Sequence, residues 1–226
     1  GLGGKTVAIP FWYSIHNVVL QKILREHGLK VVEKNPQAGE VKLSVMAPSD
    51  MVAALANRAI AGFIVAEPFN AVAEAKGVGK VLRFSGDVWR DHACCVTLMQ
   101  EHDIARRPEW VQNVVSALVE GRAWAAGHRA DTALMLSKQG PHKYTPHEDK
   151  VLQNVLAPAP EAWARYTESG IIRHPEWHQR RIDFQPYPYP SYTEKLVEML
   201  KETHIAGVNR FLDELSPQHV AQDLVD

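Results

Sequence analysis

Cysteine is nearly absent from this sequence of 226 residues: Cys94 and Cys95 stand side by side, and there is no other. Two cysteines cannot build a disulfide framework, and without a Cys-x-x-Cys pair there is no zinc or redox motif of that spacing. The pair reads as small apolar residues on a buried strand, with a strained vicinal disulfide as the alternative. No apolar run approaches the roughly 18 residues needed to cross a bilayer, so no membrane span is expected. Neither sign of charge is in excess: 25 basic against 26 acidic residues give a formal charge of −1. That balance argues against a dedicated nucleic-acid binder and offers no basic patch for anionic lipid. Gly1-Leu2-Gly3-Gly4-Lys5 shows no charged region followed by an apolar one, so no signal peptide is expected in this stretch. What is present is ordinary for a globular chain, 46% hydrophobic and 23% charged, at a length that fits one large domain or two small ones.

The first part alternates strand and helix patterns. Thr6-Val7-Ala8-Ile9 is a buried-strand run ended by Pro10, and Ser14 is a good N-cap for a helix carrying Val18, Val19, Ile23 and Leu24, which Gly28 stops. Strands are expected at 41–46, 62–66 and 81–84, with helices at 51–59, capped by Pro48-Ser49-Asp50, and from Pro68 to about residue 76. This βαβαβαβ order predicts a parallel, doubly wound sheet. A further strand is expected at 94–99. Helices follow at 110–124, 131–137, 146–156, 191–202 and 208–215, interrupted by an extended stretch at 181–190 with Pro186, Pro188 and Pro190 at alternate positions.

Several motifs fail on context. Gly4-Lys5-Thr6 leads into a strand, whereas a phosphate loop must open a helix. Gly77-Val78-Gly79 lacks the third glycine of a dinucleotide fingerprint. His174-Pro175-Glu176-Trp177-His178 places its glutamate two residues after the first histidine, and Pro175 keeps His174 out of a helix, so a solvated loop is the better reading than a zinc protease. No Gly-x-Ser-x-Gly elbow is present.

Three loops remain as ligand candidates, because a doubly wound sheet binds at the carboxyl ends of its strands. Phe11-Trp12-Tyr13-Ser14-Ile15-His16-Asn17 follows the first strand and opens a helix, so free N–H groups suit an anion. Trp12 and Tyr13 offer stacking faces, and His16 and Asn17 offer donors. Glu67-Pro68 ends another strand and reads equally well as a ligand contact or as a local helix-start carboxylate. Asp87, Arg90, Asp91 and His92 form a compact polar cluster between two expected strands, either a ligand loop or a salt-bridged surface loop. None of these supplies a nucleophile beside an oriented base, so binding is expected rather than catalysis, with no cofactor and no metal.

Together these segments resemble the nitrate/sulfonate/bicarbonate class of ABC-transporter substrate-binding proteins. The resemblance rests on the run from Gly4 to Pro10, on Ser14-Ile15-His16-Asn17, Pro48-Ser49-Asp50-Met51-Val52, Gly62-Phe63-Ile64-Val65-Ala66-Glu67-Pro68-Phe69-Asn70 and Gly86-Asp87-Val88-Trp89-Arg90-Asp91-His92. Pro108-Glu109-Trp110-Val111-Gln112 and the segment from Arg181 to Tyr192 extend it. It implies an α/β periplasmic binding protein type II fold, two lobes on a hinge, with the first lobe largely missing from this chain. Residues 1–93 would be an α/β lobe and 94–226 a crossing strand with a mostly helical return. It implies capture of a small anion by hinge closure, with His16, Glu67 and Arg90 at the family's site positions. The implied partner is a membrane permease, and the implied setting is the periplasm or a lipid anchor, with the protein acting as a monomer. Trp12, Tyr13 and Ser14 stand where nitrate binders carry small glycines, which brings in a flat heterocycle (a pyrimidine, a thiamine precursor or a flavin) as the competing ligand. A related group with this fold makes the pyrimidine of thiamine using a dense cysteine cluster; this chain has only Cys94-Cys95 beside His92.

Overall fold

A computed structural model describes residues 1–176 and 180–225. The elements run β1 (Lys5–Ile9), α1 (Ile15–Glu26), β2 (Lys30–Val32), β3 (Glu40–Val45), α2 (Pro48–Ala56), β4 (Gly62–Phe63) and α3 (Phe69–Ala75). A short 3₁₀ turn at Ser85–Asp87 precedes α4 (Glu101–Arg106), α5 (Pro108–Gly127), α6 (Arg129–Leu136), α7 (Asp149–Leu156) and α8 (Pro160–Glu168). The chain closes with α9 (Pro190–Lys201), α10 (Phe211–Glu214) and α11 (Pro217–Val225).

The four strands form a parallel sheet in the order β2-β3-β1-β4, with Val7 opposite both Leu43 and Gly62. β1 is central, and its period-two alternation divides two layers. Val7 and Ile9 join Val41, Leu43, Leu20 and Leu24 on the α1 side. Ala8 joins Met51, Ile60 and Val65 on the α2 side. Gly28 ends α1 because the turn needs φ +69°, and Leu29 N–H then donates back to the Leu24 carbonyl at 2.9 Å.

The helical return is packed on this sheet through shared cores. Met199 of α9 is buried with Ile15, Val18 and Val19 of α1, and Ala71 of α3 is buried with Ala133, Val151 and Val155 of α6 and α7. A side-chain amide clamp reinforces the first contact: Gln21 Nε2 donates to the His204 carbonyl and His204 N–H to Gln21 Oε1, both at 2.8 Å. Among the described residues no helix is long and apolar enough to cross a membrane.

Several expectations need correction. The segments 81–84 and 94–99 join no ladder among the described residues, and Leu82, Val96 and Leu98 stand exposed, Leu98 at 80%. Their apolar composition suits a strand, but a strand exists only where a neighbour takes its N–H and carbonyl groups. Cys94 and Cys95 are accordingly exposed thiols, not core residues. α2 starts at Pro48, after Ala47, so that Pro48 fills the first-turn position where its missing N–H costs nothing. The strand expected at 62–66 shortens to Gly62–Phe63, and β2, α4, α8 and α11 were not anticipated.

Leu24 is 1% exposed at the centre of the α1–sheet contact. Leu24→Ala is expected to lower unfolding free energy by about 2–5 kcal/mol, read from urea denaturation monitored by circular dichroism.

Candidate functional site

The loop after β1 is fixed by its own polar side chains. Ser14 caps α1: its Oγ donates to the Phe11 carbonyl at 2.7 Å and accepts from Asn17 N–H at 3.2 Å. Asn17 is fully buried. Its Nδ2 donates to the Trp12 carbonyl at 2.6 Å and its Oδ1 accepts from Gln21 Nε2 at 2.8 Å. The donor expected to meet a ligand therefore holds the loop. Trp12 packs on the β1–α1 core and meets His204 edge-on at 5.8 Å. Phe11, exposed, lies 5.5 Å from Tyr13, whose ring is 6.0 Å from Phe211. One of the consecutive aromatics thus serves the core, and the others begin an aromatic row that Phe211 extends.

His16 lies in the first turn of α1 and turns toward the 85–95 segment. Its Nε2 is 3.6 Å from Cys94 Sγ. Burial, helped by the charge that His92 would carry, lowers its pKa to about 4, so its imidazole is neutral at pH 7. His92 is also held below the usual imidazole value by burial. The carbonyl of Ala93, 3.1 Å from His92 Nδ1, makes that nitrogen the donor, which leaves Nε2 to accept from Ser85 Oγ at 2.9 Å. Tyr192 of α9 donates to the same Ala93 carbonyl at 2.9 Å, and its ring stacks on Trp89 at 5.2 Å. Burial, with Cys94 nearby, pushes the Tyr192 hydroxyl up to about 12. This gathering of His16, His92, Ser85, Cys94, Trp89 and Tyr192 is polar and uncharged at neutral pH. Cys94, Tyr192 and Ser85 were not among the residues the sequence put forward. Among the described residues, no group of three or more His, Cys, Asp or Glu side chains could hold a metal ion.

The 87–92 cluster divides by role. Asp87 is buried and accepts from Arg83 Nε at 2.8 Å, Arg173 N–H at 3.0 Å and His174 N–H at 2.7 Å, stapling this loop to the segment after α8. Arg90 is an exposed cation, with Nε 3.6 Å from Asp91, and it lines an open recess with Gly86, Val88, His174 and Glu176. His174 Nδ1 and Glu176 Oε1 are 3.7 Å apart on the surface; Trp177 and His178 of that motif lie outside the described residues.

Glu67, preceding Pro68 by a cis peptide bond, is bound inside the protein. Its Oε1 pairs with Arg181 Nη1 at 3.0 Å and its Oε2 accepts from Ala71 N–H at 3.1 Å, with side chains 9% and 4% exposed. Arg181 Nη2 also pairs with Glu74 and donates to the Tyr166 hydroxyl, while Tyr166 donates to Glu74 Oε1 at 2.7 Å. Burial pushes the Glu67 carboxyl above the usual carboxylate range against the pull of Arg181. For Arg181, burial opposes the charge, but Glu67 and Glu74 outweigh it and hold the guanidinium firmly protonated. Both oxygens of Glu67 are thus engaged by protein, and Arg181, which the sequence did not put forward as a site residue, is its partner.

A model of the NMT1-like family matches residues 3–137. Over 118 residues the chain is 29% identical to the nitrate/nitrite binding protein NrtA of Nostoc sp., covering 52% of this chain and 26% of that protein. Over 113 residues it is 31% identical to the bicarbonate transport ATP-binding protein CmpC of Synechocystis sp., covering 50% of this chain and 16% of that protein. The fold matches a 2.0 Å crystal structure of the ligand binding component of an ABC-type import system from Staphylococcus aureus with zinc bound. That match has a TM-score of 0.63 and 21% identity, and it covers 98% of this chain and 64% of that one. The mixed α/β architecture with its parallel sheet is therefore the fold of that ligand binding component, and the chain spans only part of the length of these relatives.

Arg181→Met would leave two carboxylates facing each other without their cation. It should destabilise the protein by about 3–5 kcal/mol in a urea titration, whereas the triple change Arg181→Met, Glu67→Gln, Glu74→Gln should recover part of that loss.

Proposed function

The chain belongs to the NMT1-like family, and we propose that it acts as the solute-binding part of an ABC importer, taking a small oxyanion such as nitrate or bicarbonate beside His16. The observation that carries this reading is the placement of His16: a neutral, half-buried imidazole in the first turn of α1, just beyond the carboxyl end of the central strand. A helix start presents unpaired N–H groups and a positive dipole end, and an imidazole N–H adds a donor that costs little desolvation. The names of the relatives, nitrate/nitrite binding and bicarbonate transport, support the same class of solute. In this reading Trp12, Ser14 and Asn17 shape the loop, Glu67 acts through Arg181 as a positioning residue, and exposed Arg90 attracts the anion to the site. Tyr13 forms a wall. The partner is a membrane permease and the setting extracytoplasmic. Cys94 Sγ lies 3.6 Å from His16 Nε2, but burial and the neighbouring Cys95 push its thiol up to about 12, so it is not an activated nucleophile and binding is favoured over turnover.

The aromatic row of Phe11, Tyr13 and Phe211, exposed at Phe11 and Phe211 and half-buried at Tyr13, favours one second reading, a flat heterocycle stacked on those rings. A thermal-shift comparison separates the two: a ligand at 100 times its dissociation constant adds about 2.7 kcal/mol of stability. Nitrate or bicarbonate should raise the melting temperature; a shift with pyrimidines or flavins alone would replace the anion reading.

An anion beside His16 favours the imidazolium and so raises its pKa from about 4. Proton uptake then accompanies binding, and affinity for nitrate, which does not itself titrate in this range, should strengthen as pH falls through the raised bound-state value toward about 4, by up to about tenfold per pH unit. Calorimetry should show this slope in the native protein and lose it in His16→Gln. A slope of zero in both contradicts the assignment.

A further inference from the structure

We propose that Cys94 and Cys95 are a reversible thiol–disulfide site, closed to a ring between adjacent residues by a small organic disulfide, and that closure withdraws the sulfur now beside His16. Both thiols are exposed, and their Sγ atoms are 3.7 Å apart, already in contact. The sequence holds no third cysteine, so neither has another partner within the chain. Among the described residues, the 94–99 segment joins no ladder, so no strand pairing resists the backbone change that closure needs.

Adjacent Cα atoms lie about 3.8 Å apart, below the roughly 4.4–6.8 Å span of relaxed disulfides. The ring is therefore strained, and strained disulfides are easily reduced again, which makes the site reversible. Burial and the neighbouring Cys95 sulfur push the Cys94 thiol up to about 12, so the first attack falls to Cys95. Its thiolate attacks one sulfur of the disulfide R–S–S–R, forming the Cys95–S–S–R bond and expelling RS⁻. Cys94 then gives up its proton to solvent and attacks the Cys95 sulfur, forming the Cys94–Cys95 bond and expelling the second RS⁻. Two protein thiols are oxidised to one disulfide, and R–S–S–R is reduced to two thiols that take up the two protons.

The Cys94 sulfur that moves is the one 3.6 Å from His16 Nε2. The bearing of closure on solute binding rests on the assignment of His16 above, but closure itself is read without any solute. Reduced protein is incubated with oxidised glutathione, quenched in acid, weighed intact and mapped by peptide. The expected product has lost two hydrogens, carries no adduct, links Cys94 to Cys95 and returns to the dithiol with reduced glutathione. Cys94→Ser should instead retain one glutathionyl group on Cys95. Native protein that keeps a glutathionyl group, forms a covalent dimer or stays fully reduced overturns the site. Imidazole NMR of the same samples should show the His16 resonances shifted on closure, and unshifted His16 resonances in the closed form overturn the link between them. A failure to bind nitrate would change neither readout and would count against the binding assignment alone.

Discussion

Arg181 is the point where the helical return is tied to the parallel sheet. Its guanidinium, 4% exposed, takes Glu67 from the loop after β4, Glu74 from α3 and Tyr166 from α8. The rings of Phe84 and Tyr166 lie 5.4 and 5.6 Å from it. A buried ion pair of this kind adds little net stability over an apolar cluster of equal volume, because desolvating the charges offsets their attraction. Its value is in selecting one arrangement: a misdocked α8 or a shifted 181–189 segment would leave charges buried and unmatched.

That constraint reaches the site through the chain itself. The segment after Arg181 carries no regular secondary structure and leads into α9, which begins at Pro190. α9 then buries Met199 against α1 and brings Tyr192 to the Ala93 carbonyl and the face of Trp89. These contacts set the path of residues 89–95, and through it the positions of His92 and Cys94 beside His16. Asp87 fixes the other end of the same loop by accepting from the backbone after α8. The neutral imidazole pair is held from both sides by elements far away in sequence.

Local chemistry made much of this legible. The apolar run of β1, the Ser14 cap, the Gly28 stop and the placement of His16 after the first strand all follow from neighbouring residues, and the structure has each of these features. The parallel order followed from alternation of strands and helices. The strands read at 81–84 and 94–99 failed because composition reports what a residue prefers, while a ladder requires a partner edge. The buried reading of Cys94 and Cys95 failed with them. β2 is too short, at Lys30–Val32, to show a period. Arg181 was invisible as a site-supporting residue because its partner Glu67 lies 114 residues away, and nothing local marks one arginine in an irregular segment as buried. Glu67 and Asn17, read in the sequence as candidate ligand contacts, have their oxygens and nitrogens bonded within the protein.

The central claim is that a small oxyanion meets the imidazole of His16. Its most direct measurement is nitrogen-15 imidazole NMR of the native chain titrated with nitrate, with resonances assigned by His16→Gln and His204→Gln. The account predicts saturable movement of the His16 ring nitrogens toward the protonated position, while His204, engaged with the ring of Trp12, stays in place. Saturable nitrate binding that leaves the His16 resonances unmoved would contradict it.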